Sequence, residues 1–97
     1  MPLFAVLYTY GEHTDQLRDE HRPAHRAFLR DLADPAGTVV MLSTGPFTDV
    51  PGALLVAQGP DAAAVERALD EDPFLHIGAI AERRVHGWSP VSGPWAS

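Results

Sequence analysis

An unbroken run of apolar and aromatic side chains, Leu3 to Tyr10, opens the chain and restricts the folds available to it. The run is too short to cross a membrane and no basic stretch leads into it, so we expect a β-strand rather than a signal segment. A second run, Ala53 to Ala57, is equally apolar. Neither shows the polar alternation of a strand with one face in water. We therefore expect a sheet that is covered on both faces.

Turn residues and periodicity divide the rest of the chain. A helix from Thr14 or Asp15 is expected to run to about Ala33, where Asp34-Pro35 and Gly37 stop it. The further segments are a strand at 38–43 broken by Gly45-Pro46, a strand at 52–58, a helix from 61 to about 71 and a strand at 79–88. Residues from about 89 to 97 are rich in serine, proline and glycine, and with Trp88 and Trp95 they are expected to form a packed tail.

The resulting order, βαββαβ, predicts a ferredoxin-like α+β fold with an antiparallel sheet. The 97 residues suffice for one domain, residues 1–97. Two helices can cover only one face of such a sheet, while the apolar runs call for two covered faces. Another copy of the chain is the simplest cover for the second face. We therefore expect a face-to-face homodimer.

Composition excludes several classes of function. The net charge of −6 argues against binding nucleic acid, whose phosphates attract basic surfaces, and against an anionic membrane surface. Cysteine is absent, which excludes disulfides, thiolate nucleophiles and cysteine-bound metal. All seven basic residues are arginine, so lysine Schiff-base chemistry is excluded as well. A cytoplasmic protein is the default expectation.

The segment Arg22-Pro23-Ala24-His25 carries the first candidate functional residue. Helical spacing predicts one apolar stripe comprising Leu17, His21, Ala24, His25, Phe28 and Leu32. Because proline inside a helix costs roughly 3 kcal/mol, the helix is expected either to kink at Pro23 or to begin its regular part there. His25 is then either an acid–base group or a core histidine bonded to a backbone carbonyl.

Two further patterns lie on the same helix. His21 and His25 have the spacing that holds a metal from one helix face, but Arg22 stands where the metalloprotease pattern needs glutamate, and no metal site is predicted. Four arginines recur at intervals of four: Arg18, Arg22, Arg26 and Arg30. Because acidic residues lie close by, the row is expected to be a solvated face, with Arg22 alone a candidate for holding an anionic group.

Asp72-Pro73-Phe74 is the second segment in which a polar group stands beside a proline. An aspartate before a proline is a favourable cap for a short helical turn, which is the structural interpretation of Asp72. Its functional interpretation is a carboxylate that orients the imidazole of His25 and sets its tautomer. Since the two are far apart in the sequence, only folding can bring them together.

The turn from Ser43 to Phe47 is a third candidate. Gly45 permits close approach of the backbone, and exposed amides beside it can hold a ligand oxygen. An ordinary turn at the end of a strand is the alternative.

Taken in order along the chain, these segments resemble the YCII-related family of small bacterial proteins. The resemblance covers nearly the whole chain and is carried by the opening strand with Tyr8, Arg22-Pro23-Ala24-His25, Gly45-Pro46-Phe47 and Asp72-Pro73-Phe74. It implies a ferredoxin-like fold that pairs into a dimeric α/β barrel. It also implies that His25 and Asp72 share a pocket, the reason that family members are regarded as enzymes. One characterised relative of this fold type removes chloride from a hydroxylated chloro-aromatic compound, but the resemblance transfers no substrate.

The leading hypothesis is an enzyme that needs no cofactor and acts on a small cyclic or enolisable molecule. His25 would transfer a proton and Asp72 would orient it, in elimination, isomerisation or lactone chemistry. The residues expected to bind the substrate are Tyr8, Arg22, Ser43, Gly45 and Phe74.

Two other hypotheses remain. A non-catalytic dimeric module that binds a small ligand or a partner protein is the main alternative, since a fold does not determine a function. A pocket closed by Phe28, Phe74 and Trp88, with no water route to His25, would favour it. A haem- or oxygen-using monooxygenase of the related barrels ranks last, because the sequence has no haem-specific motif.

Overall fold

A computed structural model describes residues 1–96, so Ser97 of the predicted tail lies outside the described residues. The elements are β1 (Leu3–Tyr10), α1 (Asp15–Asp31), β2 (Val40–Pro46), β3 (Gly52–Gln58), α2 (Ala62–Leu69), α3 (Pro73–His76) and β4 (Ile80–Trp88). The predicted βαββαβ order is confirmed, with the one-turn helix α3 added before the last strand. None of the helices in this part of the chain is long and apolar enough to cross a membrane.

The four strands form one antiparallel sheet in the order β2-β3-β1-β4. In the central strand β1, Val6 lies opposite Leu55 of β3 on one side and opposite Val85 of β4 on the other. Helices occupy the two connections that do not join neighbouring strands. This arrangement is consistent with the predicted ferredoxin-like α+β fold.

The helices cover one face of the sheet and form the core with it. Phe4, Val6 and Tyr8 of β1 belong to this core, together with Leu29 of α1 and Val65 of α2. Its other buried members are Val39, Met41, Ala53, Leu55, Ala57, Ala64 and Leu69. Alternate residues of β1 are thus committed to the helix-covered face.

The opposite face of the sheet is apolar in the central strands β1 and β3, in keeping with their lack of alternation, whereas β4 contributes Glu82, Arg84 and His86 to it. Ala5 and Leu7 of β1 are half-buried there. Leu54 of β3, which pairs with Leu7, is 38% exposed. A single chain therefore leaves part of this second face in contact with solvent.

Helix α1 is continuous from Asp15 to Asp31 with Pro23 inside it, so its regular part does not begin at the proline. The missing backbone hydrogen bond at such a position costs roughly 3 kcal/mol. Burial of His25 and Leu29 in the turns that follow offsets this cost. The buried face also differs from the predicted stripe, because Leu29 is buried while Ala24 is exposed.

Strand β2 runs from Val40 to Pro46, so the predicted bounds of 38–43 were wrong: the strand includes Gly45 and ends at Pro46. β2 is an edge strand, and a proline at the end of an edge strand breaks no ladder that the sheet needs. Its pairing with β3 also shifts register between Met41 and Ser43. The strand therefore continues past the glycine and carries Pro46 opposite Ala53.

Helix α2 ends at Leu69, two residues before the predicted end, and a separate helix α3 begins at Pro73. Asp72 between them is extended, with ψ of 125°, as is favoured for a residue that precedes proline. Its side chain accepts a hydrogen bond from the backbone N–H of Phe74, which confirms the predicted cap. Asp61 caps α2 in the same way, with Ala64 as the donor.

The described part of the C-terminal tail folds back near β4. The rings of Trp88 and Trp95 meet edge to face, with centroids 6.3 Å apart. Pro90 between them is buried. The prediction of a packed tail therefore holds for Pro90 and Trp95, whereas residues 91–94 are exposed.

Gly52, the first residue of β3, generates a prediction about stability. A Cβ at this position would lie 2.3 Å from the backbone oxygen of Tyr8, closer than any real contact. We expect Gly52→Ala to lower the free energy of unfolding by about 1–3 kcal/mol, as overpacking does elsewhere. Urea denaturation, monitored by circular dichroism, measures this free energy of unfolding.

Gly87→Ala in β4 is the matched control, because a Cβ there meets no atom within 4 Å. Its stability should stay within about 0.5 kcal/mol of the parent protein. Equal losses in the two variants would contradict the close approach of β3 to β1 at Gly52.

Candidate active site

Asp72 lies at the centre of the candidate site with a carboxylate that is 0% exposed. Three donors contact it: the Tyr8 hydroxyl at 2.8 Å on Oδ2, the Phe74 backbone N–H at 3.0 Å on Oδ1, and His25 Nδ1 at 2.7 Å on Oδ1. A buried carboxylate needs such partners to replace its hydration. Asp72 therefore both caps α3 and contacts His25.

The imidazole of His25 is held in one orientation by two contacts. Its ring lies against the ring of Phe74, with centroids 3.8 Å apart and planes inclined by 2°. Because a carboxylate only accepts hydrogen bonds, the 2.7 Å contact with Asp72 places a proton on Nδ1. Nε2 of the neutral ring then carries the free electron pair, and it has no hydrogen-bond partner among residues 1–96.

The local sequence explains why these side chains meet. Pro73 prevents Asp72 from continuing α2 and starts α3 directly after it. The first turn of α3 then places Phe74, whose N–H binds Asp72 and whose ring stacks on His25. A single short segment thus supplies both the carboxylate and the stacking surface for the imidazole on α1.

Tyr8 contributes to the site from beneath it. Its side chain is buried on the helix-covered face of β1, and its hydroxyl donates to Asp72. Burial, followed by the negative charge of Asp72, raises the pKa of Tyr8 far above the usual value for a tyrosine. Tyr8 therefore remains a hydrogen-bond donor near neutral pH. It supports the carboxylate and is not among the residues that line the neighbouring cavity.

A cavity of about 240 Å³ opens beside His25. Of the residues predicted to bind substrate, Arg22, Gly45 and Phe74 line it, whereas Tyr8 and Ser43 do not. The full lining comprises Tyr10, Arg18, Arg22, His25, Arg26, Leu29, Thr44, Gly45, Pro46, Ala53, Leu55 and Phe74. The structure thus brings most of the predicted residues to one place.

Thr44 takes the place at the cavity that was expected for Ser43. Thr44 pairs with Leu55, a core residue of β3 on the helix-covered face, whereas Ser43 pairs with Val56 on the opposite face. Side chains alternate along a strand, so neighbouring residues cannot share a face. The register shift after Met41 sets which of the two faces the cavity, and no local sequence signal reveals it.

The arginine row on α1 is only partly the solvated face that was expected. Arg18, Arg22 and Arg26 line the cavity, while Arg30 lies outside it. The Arg18 side chain is 12% exposed, and its guanidinium lies 4.1 Å above the ring of Tyr10. The solvated-face prediction was therefore wrong for Arg18, which is held by a cation–π contact and by a hydrogen bond from its Nε to Thr14.

Arg83 of β4 was also not among the residues predicted from the sequence. It lies opposite Tyr8 in the sheet and donates from Nη2 to Asp70 at 2.8 Å, at the end of α2. Its Nη1 is buried and has no hydrogen-bond partner among residues 1–96. Arg83 places a positive charge near the Tyr8 hydroxyl, and this charge slightly opposes the rise in the pKa of that group.

No cluster of three or more histidine, aspartate or glutamate side chains with metal-binding geometry occurs within residues 1–96. His21 lies one turn before His25 on α1 and is only half-buried. His25 directs its Nδ1 to Asp72. His21 and His25, although one turn apart on α1, therefore lie in different environments.

Comparison with known sequences supplies the family. The sequence profile of the YCII-related domain matches residues 2–89. The chain belongs to the YCII-related domain family. The resemblance seen in the sequence is thereby confirmed. No curated protein matches the chain at a significant level.

Three solved structures share the fold of this YCII-related protein. The dehydrochlorinase TftG from Burkholderia phenoliruptrix AC1100, in complex with 2,5-dihydroxybenzoquinone, is 22% identical with a TM-score of 0.77, over 98% of this chain and 99% of that one. At3g17210 from Arabidopsis thaliana is 13% identical, with a TM-score of 0.54. The match covers 96% of this chain and 98% of the Arabidopsis chain. PA3566 from Pseudomonas aeruginosa is 17% identical, with a TM-score of 0.52. The match covers 94% of this chain and 95% of the Pseudomonas chain. At these identities the likeness establishes the fold.

The Tyr8–Asp72 hydrogen bond generates a prediction about stability and its pH dependence. Near neutral pH we expect Tyr8→Phe to lower the free energy of unfolding by about 1–3 kcal/mol, because a buried carboxylate loses a donor. The raised pKa of Tyr8 in the folded state stabilises the protein below about pH 10. This stabilisation is lost at higher pH, since the unfolded chain releases the proton first. The parent protein should therefore lose stability above about pH 10 more steeply than Tyr8→Phe.

Urea denaturation at a series of pH values measures both effects. Tyr10→Phe is the control at neutral pH, since no hydrogen bond of the Tyr10 hydroxyl is found among the described residues. If Tyr8→Phe is as stable as Tyr10→Phe there, the Tyr8 hydroxyl does not support Asp72.

Proposed function

We propose that this YCII-related protein is an acid–base enzyme that acts on a small molecule without a cofactor, with His25 as the proton-transferring group and Asp72 as its partner. The supporting observation is the 2.7 Å contact between the buried Asp72 carboxylate and Nδ1 of His25, a residue that lines the cavity. Contacts of this kind keep an imidazole in one tautomer and stabilise the imidazolium that forms on protonation.

The geometry supports removal of a substrate proton by His25 with assistance from Asp72. Nε2 of His25 would take a proton from a carbon or oxygen of the substrate, and the Asp72 carboxylate would stabilise the resulting imidazolium through Nδ1–H. In an elimination, the electron pair of the broken bond to hydrogen forms a double bond while the leaving group departs with its own pair. In an isomerisation, Nε2–H returns the proton to a different atom. Lactone chemistry would use the same base to activate water.

The fold comparison supports an enzyme on a small molecule without identifying the substrate. The Burkholderia protein of the same fold is named as a dehydrochlorinase and is bound to a dihydroxybenzoquinone. An elimination is one of the reactions that the His25–Asp72 pair would serve. No residue at the cavity indicates specificity for a halogen, so we propose the acid–base chemistry and not the dechlorination.

The cavity lacks the closure that would favour the non-catalytic alternative. A pocket closed by Phe28, Phe74 and Trp88 would have supported a binding module. Phe74 does line the cavity, but Phe28 and Trp88 are not among the lining residues between positions 1 and 96. His25 is among them. Access of a ligand to the imidazole favours the enzyme.

We also propose that the chain pairs with a second copy through the open face of its sheet. Leu7 and Leu54 lie side by side on that face, beside the half-buried Ala5, and they are incompletely covered in the single chain. Contiguous apolar surface of this kind marks an interface. Two such sheets packed face to face would form the predicted dimeric α/β barrel.

The acid–base proposal predicts the effect of replacing His25. We expect the parent protein to exchange C–H for C–D in D₂O, or to eliminate, with members of a panel of cyclic diketones, lactones and chlorinated hydroxyquinols. ¹H NMR of each compound measures the rate. His25→Gln should lower that rate by about 10²–10⁴-fold, the usual contribution of a general acid–base group. Asp72→Asn should also lower it, because an amide that donates to Nδ1 would leave the proton on Nε2.

His21→Gln is the matched control, since it removes a histidine one turn away on α1 that does not line the cavity. It should leave the rate unchanged, and circular dichroism verifies that all three variants are folded. A His25→Gln variant as fast as the parent would exclude the proposal. An inert parent protein that binds panel members would favour the binding module.

The dimer proposal predicts the mass in solution. Light scattering after size exclusion should give twice the chain mass of 10.5 kDa. Leu54→Glu should shift the protein to the monomer, because it places a charge in the centre of the apolar face. Val91→Glu, at a position 93% exposed in the tail, should remain dimeric. A monomeric parent protein would contradict the proposal.

A further inference from the structure

The cavity beside His25 has a charge opposite to that of the protein as a whole. The chain carries a net charge of −6 and only seven cationic side chains. Three of these, Arg18, Arg22 and Arg26, line this one cavity, and none of the other lining residues is acidic. A concave site with charges of one sign and apolar walls concentrates ligands of the other sign.

The two carboxylates that pair with these arginines lie outside the cavity. Asp15 and Asp19 pair with Arg18 and Arg22, but the two carboxylates are 94% and 68% exposed and lie outside the cavity lining. Exposed ion pairs of this kind contribute little and exchange readily. Arg22 is therefore available to a ligand.

Arg26 is the most accessible of the three cations. It forms no ion pair with any residue in the described range 1–96, and it is exposed at the edge of the cavity, one residue beyond His25. Arg18 is held differently, because its guanidinium is fixed above Tyr10. Arg22 and Arg26 lie one helical turn apart on α1. They are therefore the two arginines of the row whose guanidinium groups can both bind one ligand.

Part of the cavity wall is apolar and limits the size of a ligand. Leu29, Ala53 and Leu55 form it. The cavity of about 240 Å³ lies below the roughly 300–1,000 Å³ typical of pockets for drug-sized ligands. A molecule with one ring, or of similar size, would fill it and bring its acidic C–H or O–H to Nε2 of His25.

We propose that the substrate is a small anion with an apolar body, whose negatively charged oxygen binds Arg22 and Arg26 while the body contacts Leu29, Ala53 and Leu55. This inference rests on the proposed function, since it takes the cavity as the substrate site. A carboxylate and an ionised ring hydroxyl share the required chemistry. The same guanidinium groups would stabilise the negative charge that forms on oxygen when His25 removes a proton.

Titrations with matched anionic and neutral ligands test the proposal. ¹H–¹⁵N spectra are recorded while benzoate or neutral benzamide is added, and 4-nitrophenolate or neutral nitrobenzene forms the second pair. We expect each anion to bind at least about tenfold more tightly than its neutral partner, with shifts at the amides of Thr44, Gly45 and Leu55. The pair with the larger ratio identifies the preferred group, carboxylate or ionised hydroxyl.

Substitution of the arginines locates the charge effect. Arg22→Gln and Arg26→Gln should each weaken anion binding by about tenfold and leave the neutral ligands unaffected. Arg30→Gln is the matched control, because it removes the same charge one turn further along α1 and outside the cavity lining. It should leave the affinity nearly unchanged.

Two results would overturn the proposal: equal affinity for anionic and neutral ligands, or an equal loss in Arg30→Gln and Arg26→Gln. Binding to His25→Gln separates this inference from the acid–base function. If that variant binds benzoate and the parent protein catalyses nothing, the anion site holds and the enzyme proposal fails. If the parent protein catalyses proton transfer from neutral compounds without preference for anions, the enzyme proposal holds and the anion site fails.

Discussion

A carboxylate that has no contact with water is stable in a protein only when hydrogen bonds replace its hydration shell. Asp72 meets this requirement with donors from three parts of the chain: Tyr8 in the central strand, His25 on the long helix and the backbone N–H of Phe74 in α3. Each donor is a contact that positions its own element relative to the others. The candidate site is therefore part of the core, and its geometry depends on the same group that joins the sheet to two helices.

The shared oxygen of Asp72 explains how a structural cap can also serve chemistry. Oδ1 accepts from the backbone of Phe74 and from Nδ1 of His25, so the cap fixes the position of the oxygen that orients the imidazole. The Phe74 ring fixes the plane of the same imidazole by stacking. Such orientation from two directions is what proton transfer requires of its base.

Helix α1 supplies both the proposed proton-transferring group, His25, and the arginines that line the cavity. With 3.6 residues per turn, Arg22, His25, Arg26 and Leu29 fall on adjoining parts of one face. His25 and Leu29 are buried, while the arginines remain at the margin, where their charges are hydrated. A single helix thus contributes an apolar side chain, an imidazole and two cations to the cavity, and none of these four residues comes from a loop.

Much of this architecture follows from local signals. The element order, the bounds of β3, the apolar second face and the cap at Asp72 come from periodicity, turn residues and the restriction that Pro73 imposes on its neighbour. Pro23 was a weaker guide, because packing of its helix against the sheet outweighs the local cost of a proline. Tertiary burial overrides local preference where the two conflict.

The sequence by itself determined which segments become strands and helices, that His25 lies on the inner side of α1, and that Asp72 begins a helical turn. Only the tertiary structure decided that Thr44 and not Ser43 faces the cavity, that Tyr8 binds Asp72, and that Arg18 packs against an aromatic ring. The reason is physical. Periodicity and capping act within a few neighbouring residues, whereas strand register and burial depend on what packs opposite, which no single segment contains.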